Sequence, residues 1–395
     1  MNNSKEIFKK YQAQTFPEPS SLEIKYAKGN YIWDINGKKY LDFVAGVSSC
    51  TLGHSNPIIL NAIKDQLRRY THVMVYGEYI QSPQYKLAKL LADNLPKNLS
   101  TTYFTNSGTE AIEGAIKLAK RATGKSEIIS CKESYHGSTQ GALSIMGNEE
   151  YKSRYRSLIP NCKQIIYNNL NSLANITKQT AAVVIEPIQG ASGFITPKNN
   201  FLNEVKAKCV QTNTLLIFDE IQTCFGRTGK LFGFENNNVI PDILCIAKGM
   251  GAGMPIGAFI SSWNLMNLLT FNPKLGHITT FGGHPINCAA SLACLKYLLN
   301  SNIINEVKEK EKIFRLHLKH PKIANIRGNG LMIAIEFEDE KLAAEVVKRS
   351  LQKGLILFYF LFTKTAVRIS PPLTITNAEI KKGCEIIKEI LEQNE

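Results

Sequence analysis

The sequence predicts an α/β protein: a large domain on a mostly parallel sheet flanked by helices, joined to a smaller α+β domain made from both chain ends. Three observations predict it. Short apolar runs alternate with amphipathic helical patterns between about residues 100 and 262, as βαβ units require. Those runs are apolar on both alternations, as strands covered on both faces are. The two chain ends lack this rhythm and mix hairpin, strand and helix signals.

The elements follow in order. Strand patterns at 31–34 and 39–43 flank Asn36-Gly37, a strong two-residue hairpin signal. Residues 102–105 read as a strand and 108–121 as a helix, on which Ala111, Ala115, Leu118 and Ala119 share a face. Further strand runs lie at 127–130, 164–167, 182–186, 215–219 and 243–247, with a helix over 201–211 between two of them. After about residue 305 come a charged helix, a strand at 331–337, a helix at 342–353, a strand at 366–369 and a last helix from Asn377. The reading assigns 1–60 and 305–395 to the small domain and 61–304 to the large one.

Composition narrows the function classes. A chain of 395 residues exceeds one ordinary core. No run approaches the roughly 18 apolar residues of a membrane span, and the first ten residues are polar and charged, so a cytoplasmic protein is expected. The nine cysteines are scattered and include no C-x-x-C pair, against a disulfide framework or a zinc site. The net charge of +14 raises nucleic acid as a partner, but Lys and Arg are spread along the chain and interleaved with Glu at helical spacing, as on solvated faces. No nucleic acid, membrane or metal is expected.

In open α/β sheets ligands sit beyond the carboxyl ends of the strands, and three strand exits carry polar residues. The first is Asn106-Ser107-Gly108-Thr109 at a helix N-terminus, where free N–H groups and the dipole favour a phosphate; plain N-capping by Ser107 accounts for it equally well. The second is Asp219-Glu220 after the apolar run 215–218. A carboxylate there needs a partner: a protonated ring nitrogen, a metal or a salt bridge. The third is Lys248, at the end of 243–247 and before a glycine-rich run to Gly257 whose spacing fits neither a Rossmann nor a Walker loop. Burial depresses a lysine's pKa, and the neutral amine is the form that attacks a carbonyl. Phosphate cup, buried acid and buried amine together are what pyridoxal 5'-phosphate requires.

These motifs resemble those of class III (omega-type) aminotransferases over nearly the whole chain. They run from Asn106-Ser107-Gly108-Thr109-Glu110-Ala111 through Tyr135-His136-Gly137, Glu186-Pro187-Ile188-Gln189-Gly190, Asp219-Glu220-Ile221-Gln222-Thr223 and Gly226-Arg227-Thr228-Gly229. Ala247-Lys248-Gly249, Thr280-Phe281-Gly282-Gly283 and Arg368 before Pro371-Pro372-Leu373 complete the set. The nearest subgroup is that of acetylornithine, ornithine and 4-aminobutyrate aminotransferases. The resemblance implies fold type I, with Lys248 holding the cofactor as an imine and shuttling the proton, and Asp219 keeping the pyridine nitrogen protonated. It implies that Tyr135 stacks on one cofactor face and Ile221 presses the other, that Gln222 lies near the phenolic oxygen, and that Glu186 joins the Asp219 network. Ser107, Gly108 and Thr109 would hold the phosphate with Thr280 of a partner subunit, hence a homodimer. Family position also brings Tyr76, Ser48 and Ser49 to the substrate mouth. His136 is expected to act structurally rather than as an acid or base, since Lys248 already serves as base; Arg227 and Arg327 are expected to be structural, and His54 has no evident partner.

Three departures from the family pattern bear on substrate. Relatives acting on ornithine or acetylornithine usually have Arg where this chain has Ser138, Glu where it has Ala191, and Gly where it has Cys224. A Cys in a φ > 0 position would be strained. Arg368 keeps a planar fork for a carboxylate and, without Glu at 191, is free to use it. The expected partners are therefore an amino acid or ω-amine donor and a 2-oxo acid, 2-oxoglutarate or pyruvate. A mutase or decarboxylase on the same fold and a cofactor-binding protein without turnover are the alternatives; Gln222 speaks against the aminomutase branch, which usually has Met there.

Overall fold

The computed structural model describes residues 3–393. Ile24–Lys28 (β1), Tyr31–Asp34 (β2) and Lys39–Asp42 (β3) form an antiparallel meander whose last turn uses the Asn36-Gly37 step. The central strands are Thr101–Thr105 (β4), Glu127–Cys131 (β5), Cys162–Ile165 (β6), Thr180–Ile185 (β7), Leu215–Asp219 (β8), Ile243–Ile246 (β9) and Gly257–Ser261 (β10). Asn325–Asn329 (β11), Met332–Glu336 (β12), Leu355–Ile356 (β13), Phe358–Tyr359 (β14) and Ala366–Ile369 (β15) complete the set.

The central sheet runs β4-β10-β9-β8-β7-β5-β6. Strands β5 to β9 pair in parallel, and β10 is antiparallel to both β9 and β4. β5, β7, β9 and β10 are buried along their whole length, as expected of strands covered on both faces. The helix Gly108–Thr123 lies against β9 and β10, and Phe201–Thr212 lies against β7 and β8. The first of these helices buries Ala111, Ile112, Ala115, Leu118 and Ala119, stops at Gly124 in the left-handed region, and carries Lys120 and Arg121 in its last turn. Each of these features suits a helix C-terminus or a core-facing stripe.

Two further sheets interweave the chain ends. β13 pairs in parallel with β3, Leu355 opposite Leu41, and the Ser370 N–H donates to the Phe43 carbonyl at 2.7 Å. The order β11-β12-β15-β14 places Arg368 between Ala334 and Phe358. Among the described residues no helix is long and apolar enough to cross a membrane.

Most element readings hold to within two residues, with two departures. The stretch 257–261, given no element by the sequence reading, is a strand; Ala258, Phe259 and Ile260 are fully buried between β4 and β9. The run read at 164–167 pairs over Cys162–Ile165 instead, because Ile128 to Cys131 of β5 dictate its register.

Candidate active site

The carboxyl ends of β4, β7, β8 and β9 open on a cavity of about 710 Å³. Its wall includes Ser107, Gly108, Thr109, Tyr135, His136, Ser138, Glu186, Asp219, Ile221, Gln222, Lys248 and Arg368. Residues from six separate stretches of sequence thus meet in one space.

The first wall is the N-terminus of the helix Gly108–Thr123. Ser107 is extended (φ −154°, ψ 166°) and its hydroxyl accepts from the Glu110 N–H at 3.3 Å, a long bond that caps the helix. Thr109 Oγ1 lies 2.7 Å from Thr139 Oγ1. Capping and anion binding are compatible, since a helix leaves four N–H groups without intrahelical partners. Space decides how close a ligand can come. A Cβ on Gly108 would sit 2.6 Å from Ile221 Cδ1, and one on Gly257 would sit 2.3 Å from the Ser107 carbonyl oxygen. The loop is therefore drawn tight against its neighbours at two glycines.

Asp219 ends β8, buried at 5% exposure. Its Oδ2 lies 2.8 Å from His136 Nδ1, and its Oδ1 accepts from the Ile221 N–H at 3.0 Å. His136 Nε2 is buried without a hydrogen-bond partner. Glu186, at the end of β7, accepts from the Tyr135 N–H at 3.1 Å and the Gly190 N–H at 2.7 Å. Burial pushes its carboxyl pKa up; His136 opposes the rise and Asp219 adds to it. Gln222 Nε2 donates to Ser48 Oγ at 3.2 Å, and Tyr135 Oη lies 3.1 Å from Ser138 Oγ.

Lys248 follows β9 in a left-handed conformation (φ 43°). Burial lowers its ammonium pKa, and the positive charge of Arg368 lowers it further; Asp219 and Glu186 pull the other way. The net shift is downward, in the direction of the neutral amine, the nucleophilic and basic form. Arg368, on β15, is 5% exposed, with its guanidinium carbon 4.9 Å from the Phe360 ring centre and 5.4 Å from that of Phe194. Its Nε is buried without a hydrogen-bond partner. Burial lowers its pKa to about 10, so it stays cationic at neutral pH.

With this geometry in view, the comparisons with known proteins are decisive. The family model for aminotransferase class-III matches residues 13–391. The chain belongs to the class III aminotransferases. An acetylornithine aminotransferase from Methanopyrus kandleri is 35% identical over 98% of this chain and 99% of its own length. The ornithine aminotransferase of Toxoplasma gondii superposes with a TM-score of 0.91 at 30% identity, covering 99% of this chain and 94% of that one. An amine transaminase from an uncultivated Pseudomonas species, solved in its PLP-bound form, gives 0.88 at 26% identity over 96% and 99%.

Class III aminotransferases work with pyridoxal phosphate, and the residues of this cavity fit that group. A tight helix N-terminus suits its phosphate. A buried carboxylate held by an imidazole suits its ring nitrogen, and an amine of lowered pKa suits its aldehyde. The orphaned Nε of Arg368 leaves a donor for a substrate carboxylate.

The structure handles other sequence-predicted residues of this aminotransferase differently. Ser49 lines the cavity, while Ser48 touches Gln222 behind it. Tyr76 is not on the Lys248 cavity of its own chain; it lines a second one of about 350 Å³ with Thr279, Gly282 and Gly283. Thr280 is exposed and likewise outside the first cavity, while its neighbour Thr279 accepts a 2.8 Å bond from Asn106 Nδ2. Strain at Cys224 is absent: the positive φ values fall on Phe225 (55°) and Gly226 (87°) instead, and the Cys224 thiol is buried against the Ala247 carbonyl. His54 has a partner after all, Asp42 at 2.7 Å. Arg227 bonds the Leu331 and Pro371 carbonyls, and Arg327 bonds Gly193 and Glu336, so both brace turns. Sequence reasoning missed Val47, Met254, Pro255, Phe358, Tyr359 and Leu361 on the cavity wall; the last three belong to the apolar run 355–362, whose pattern marks burial and not a site.

Proposed function

We propose that this aminotransferase moves an amino group from an amino acid or ω-amine donor to a 2-oxo acid, 2-oxoglutarate or pyruvate, in two half-reactions of ping-pong form. The observation that carries this reading is the meeting of Lys248, Asp219, the Ser107–Thr109 helix end and an unclaimed Arg368 in one cavity. Bound there, pyridoxal phosphate supplies an electron sink for the charge left when a proton departs from the carbon bearing the amine.

The chain's own residues have these roles. Lys248 holds the cofactor and then, as a neutral amine, takes and returns the substrate proton. Ser107, Gly108 and Thr109 hold the phosphate. Asp219 keeps the ring nitrogen protonated, and His136 keeps Asp219 aimed through their 2.8 Å contact. Tyr135 and Ile221 flank the ring, Gln222 donates near its phenolic oxygen, and Glu186 joins the Asp219 network. Arg368 grips the substrate carboxylate through a charge-assisted fork, beside Ser138 on the same wall.

A homodimer belongs to the same reading. The exposure of Thr280 and the separate cavity around Tyr76 support a second copy carrying these residues to its partner's site. Nine free cysteines, seven of them buried, support a reducing compartment such as the cytoplasm.

The test is spectroscopic. Purified holoenzyme is mixed with a panel of amino donors, and the cofactor band at about 410–430 nm should bleach with a true donor and return on adding the 2-oxo acid. No bleaching with any donor overturns transamination, and release of carbon dioxide would indicate a decarboxylase.

A further inference from the structure

Resting on the aminotransferase reading, one feature of the cavity narrows its substrates. Among the described residues that line it, apart from the imidazole held by Asp219, only Lys248 and Arg368 carry positive charge. Lys248 belongs to the cofactor, so Arg368 is the single cation that this chain's own wall leaves for a substrate carboxylate. No acid is bonded to it, and the charge of Glu186 reaches it only at longer range: its Nε has no partner, and its guanidinium rests against two aromatic rings.

The rest of the wall offers a second carboxylate little. Val47, Met254, Pro255, Phe358, Tyr359 and Leu361 contribute mainly apolar surface to it. The hydroxyls of Tyr135 and Ser138 are turned to each other at 3.1 Å. The other titratable side chains there, Glu186 and Asp219, are both acids and offer a further carboxylate no counter-ion. A carboxylate moved from water to such a place loses its hydration without gaining a counter-ion.

We propose that the substrates of this enzyme carry at most one carboxylate, seated on Arg368: the acceptor is a monocarboxylic 2-oxo acid, and the donor is an amine or amino acid whose remaining substituent is uncharged and packs on the Phe358–Leu361 wall. A dicarboxylic pair of the glutamate and 2-oxoglutarate type is selected against. Both half-reactions use one cavity, so the restriction applies to donor and acceptor alike.

The experiment uses holoenzyme first loaded by whichever donor bleaches it. Amination of pyruvate and 2-oxobutyrate is compared with that of 2-oxoglutarate, and binding of the unreactive acids butyrate and glutarate to unreacted holoenzyme is measured by calorimetry. Expected are a kcat/KM preference of about tenfold or more for the monocarboxylates, the scale of one unpaired charge, and tighter binding of butyrate. Ser138→Arg, which adds a cation to the wall, should raise glutarate affinity more than butyrate affinity. Parity, or preference for 2-oxoglutarate and glutarate, overturns the proposal whatever supplies the compensating charge. If no acid is aminated, the transaminase reading fails, and the calorimetric arm still decides the charge limit.

Discussion

Replacing Arg368 by Ala tests the carboxylate site most directly. Among the described residues of the cavity wall, the guanidinium is the one cation that the proposed cofactor leaves free; it rests against the touching rings of Phe194 and Phe360, with no acid bonded to it. Its removal therefore strands no ion-paired carboxylate, and the main loss falls on the incoming acid. A hydrogen bond to a charged group contributes about 1.5–3 kcal/mol, which corresponds to roughly 10- to 150-fold in affinity. The KM for the 2-oxo acid should rise by that factor, while the KM for a donor amine without a carboxylate changes about threefold at most, within one weak contact. Arg368→Lys keeps the charge but loses the fork, and should fall between the two. Steady-state kinetics with both substrates varied give the two constants separately. Equal increases for amine and acid would refute the assignment, because they would mean that the cavity itself had collapsed.

Asp219→Asn, which leaves His136 a neutral acceptor, should cut turnover by roughly 100-fold or more, as loss of a preorganised charge does, and the pH–rate profile should change with it. Gly257→Ala drives a methyl to 2.3 Å from the Ser107 carbonyl; a loss of about 1–3 kcal/mol in stability should accompany weaker retention of the cofactor on dialysis. His54 sits 2.7 Å from Asp42, and that bond, aided by Cys50 and opposed by burial, raises its pKa from 6.5 to about 10. A folded-state pKa above the unfolded one means that this stabilisation is complete below pH 6.5 and is lost as pH climbs through about 10. Chemical denaturation across that window should show the decline in wild type and a flatter dependence in His54→Asn, which is less stable at neutral pH.

Much of the site was legible because its chemistry is local in sequence. Ser107-Gly108-Thr109 announces a helix start with free N–H groups, and Asp219 and Lys248 each stand at the end of an apolar run where charge is costly. A buried strand needs an unbroken apolar run, and that run is visible without a partner. Less legible was 257–261, where a leading glycine and a short span hid a strand that two neighbours bury. The His54–Asp42 pair lies within twelve residues yet was missed, since a turn sets which side chains meet.

Sequence alone determined the parallel core, the order of the strand exits and the residue types at each, because apolar periodicity and isolated polar residues are written one element at a time. Tertiary structure alone decided what those exits share. It set β15 with Arg368 beside β14, closed the cavity with Phe358 and Tyr359, moved Tyr76 to another, and left Arg368 without an acid. Positions 107, 219, 248 and 368 are joined through strand pairing and side-chain packing across hundreds of residues, and no local pattern encodes a distance or an unmade bond.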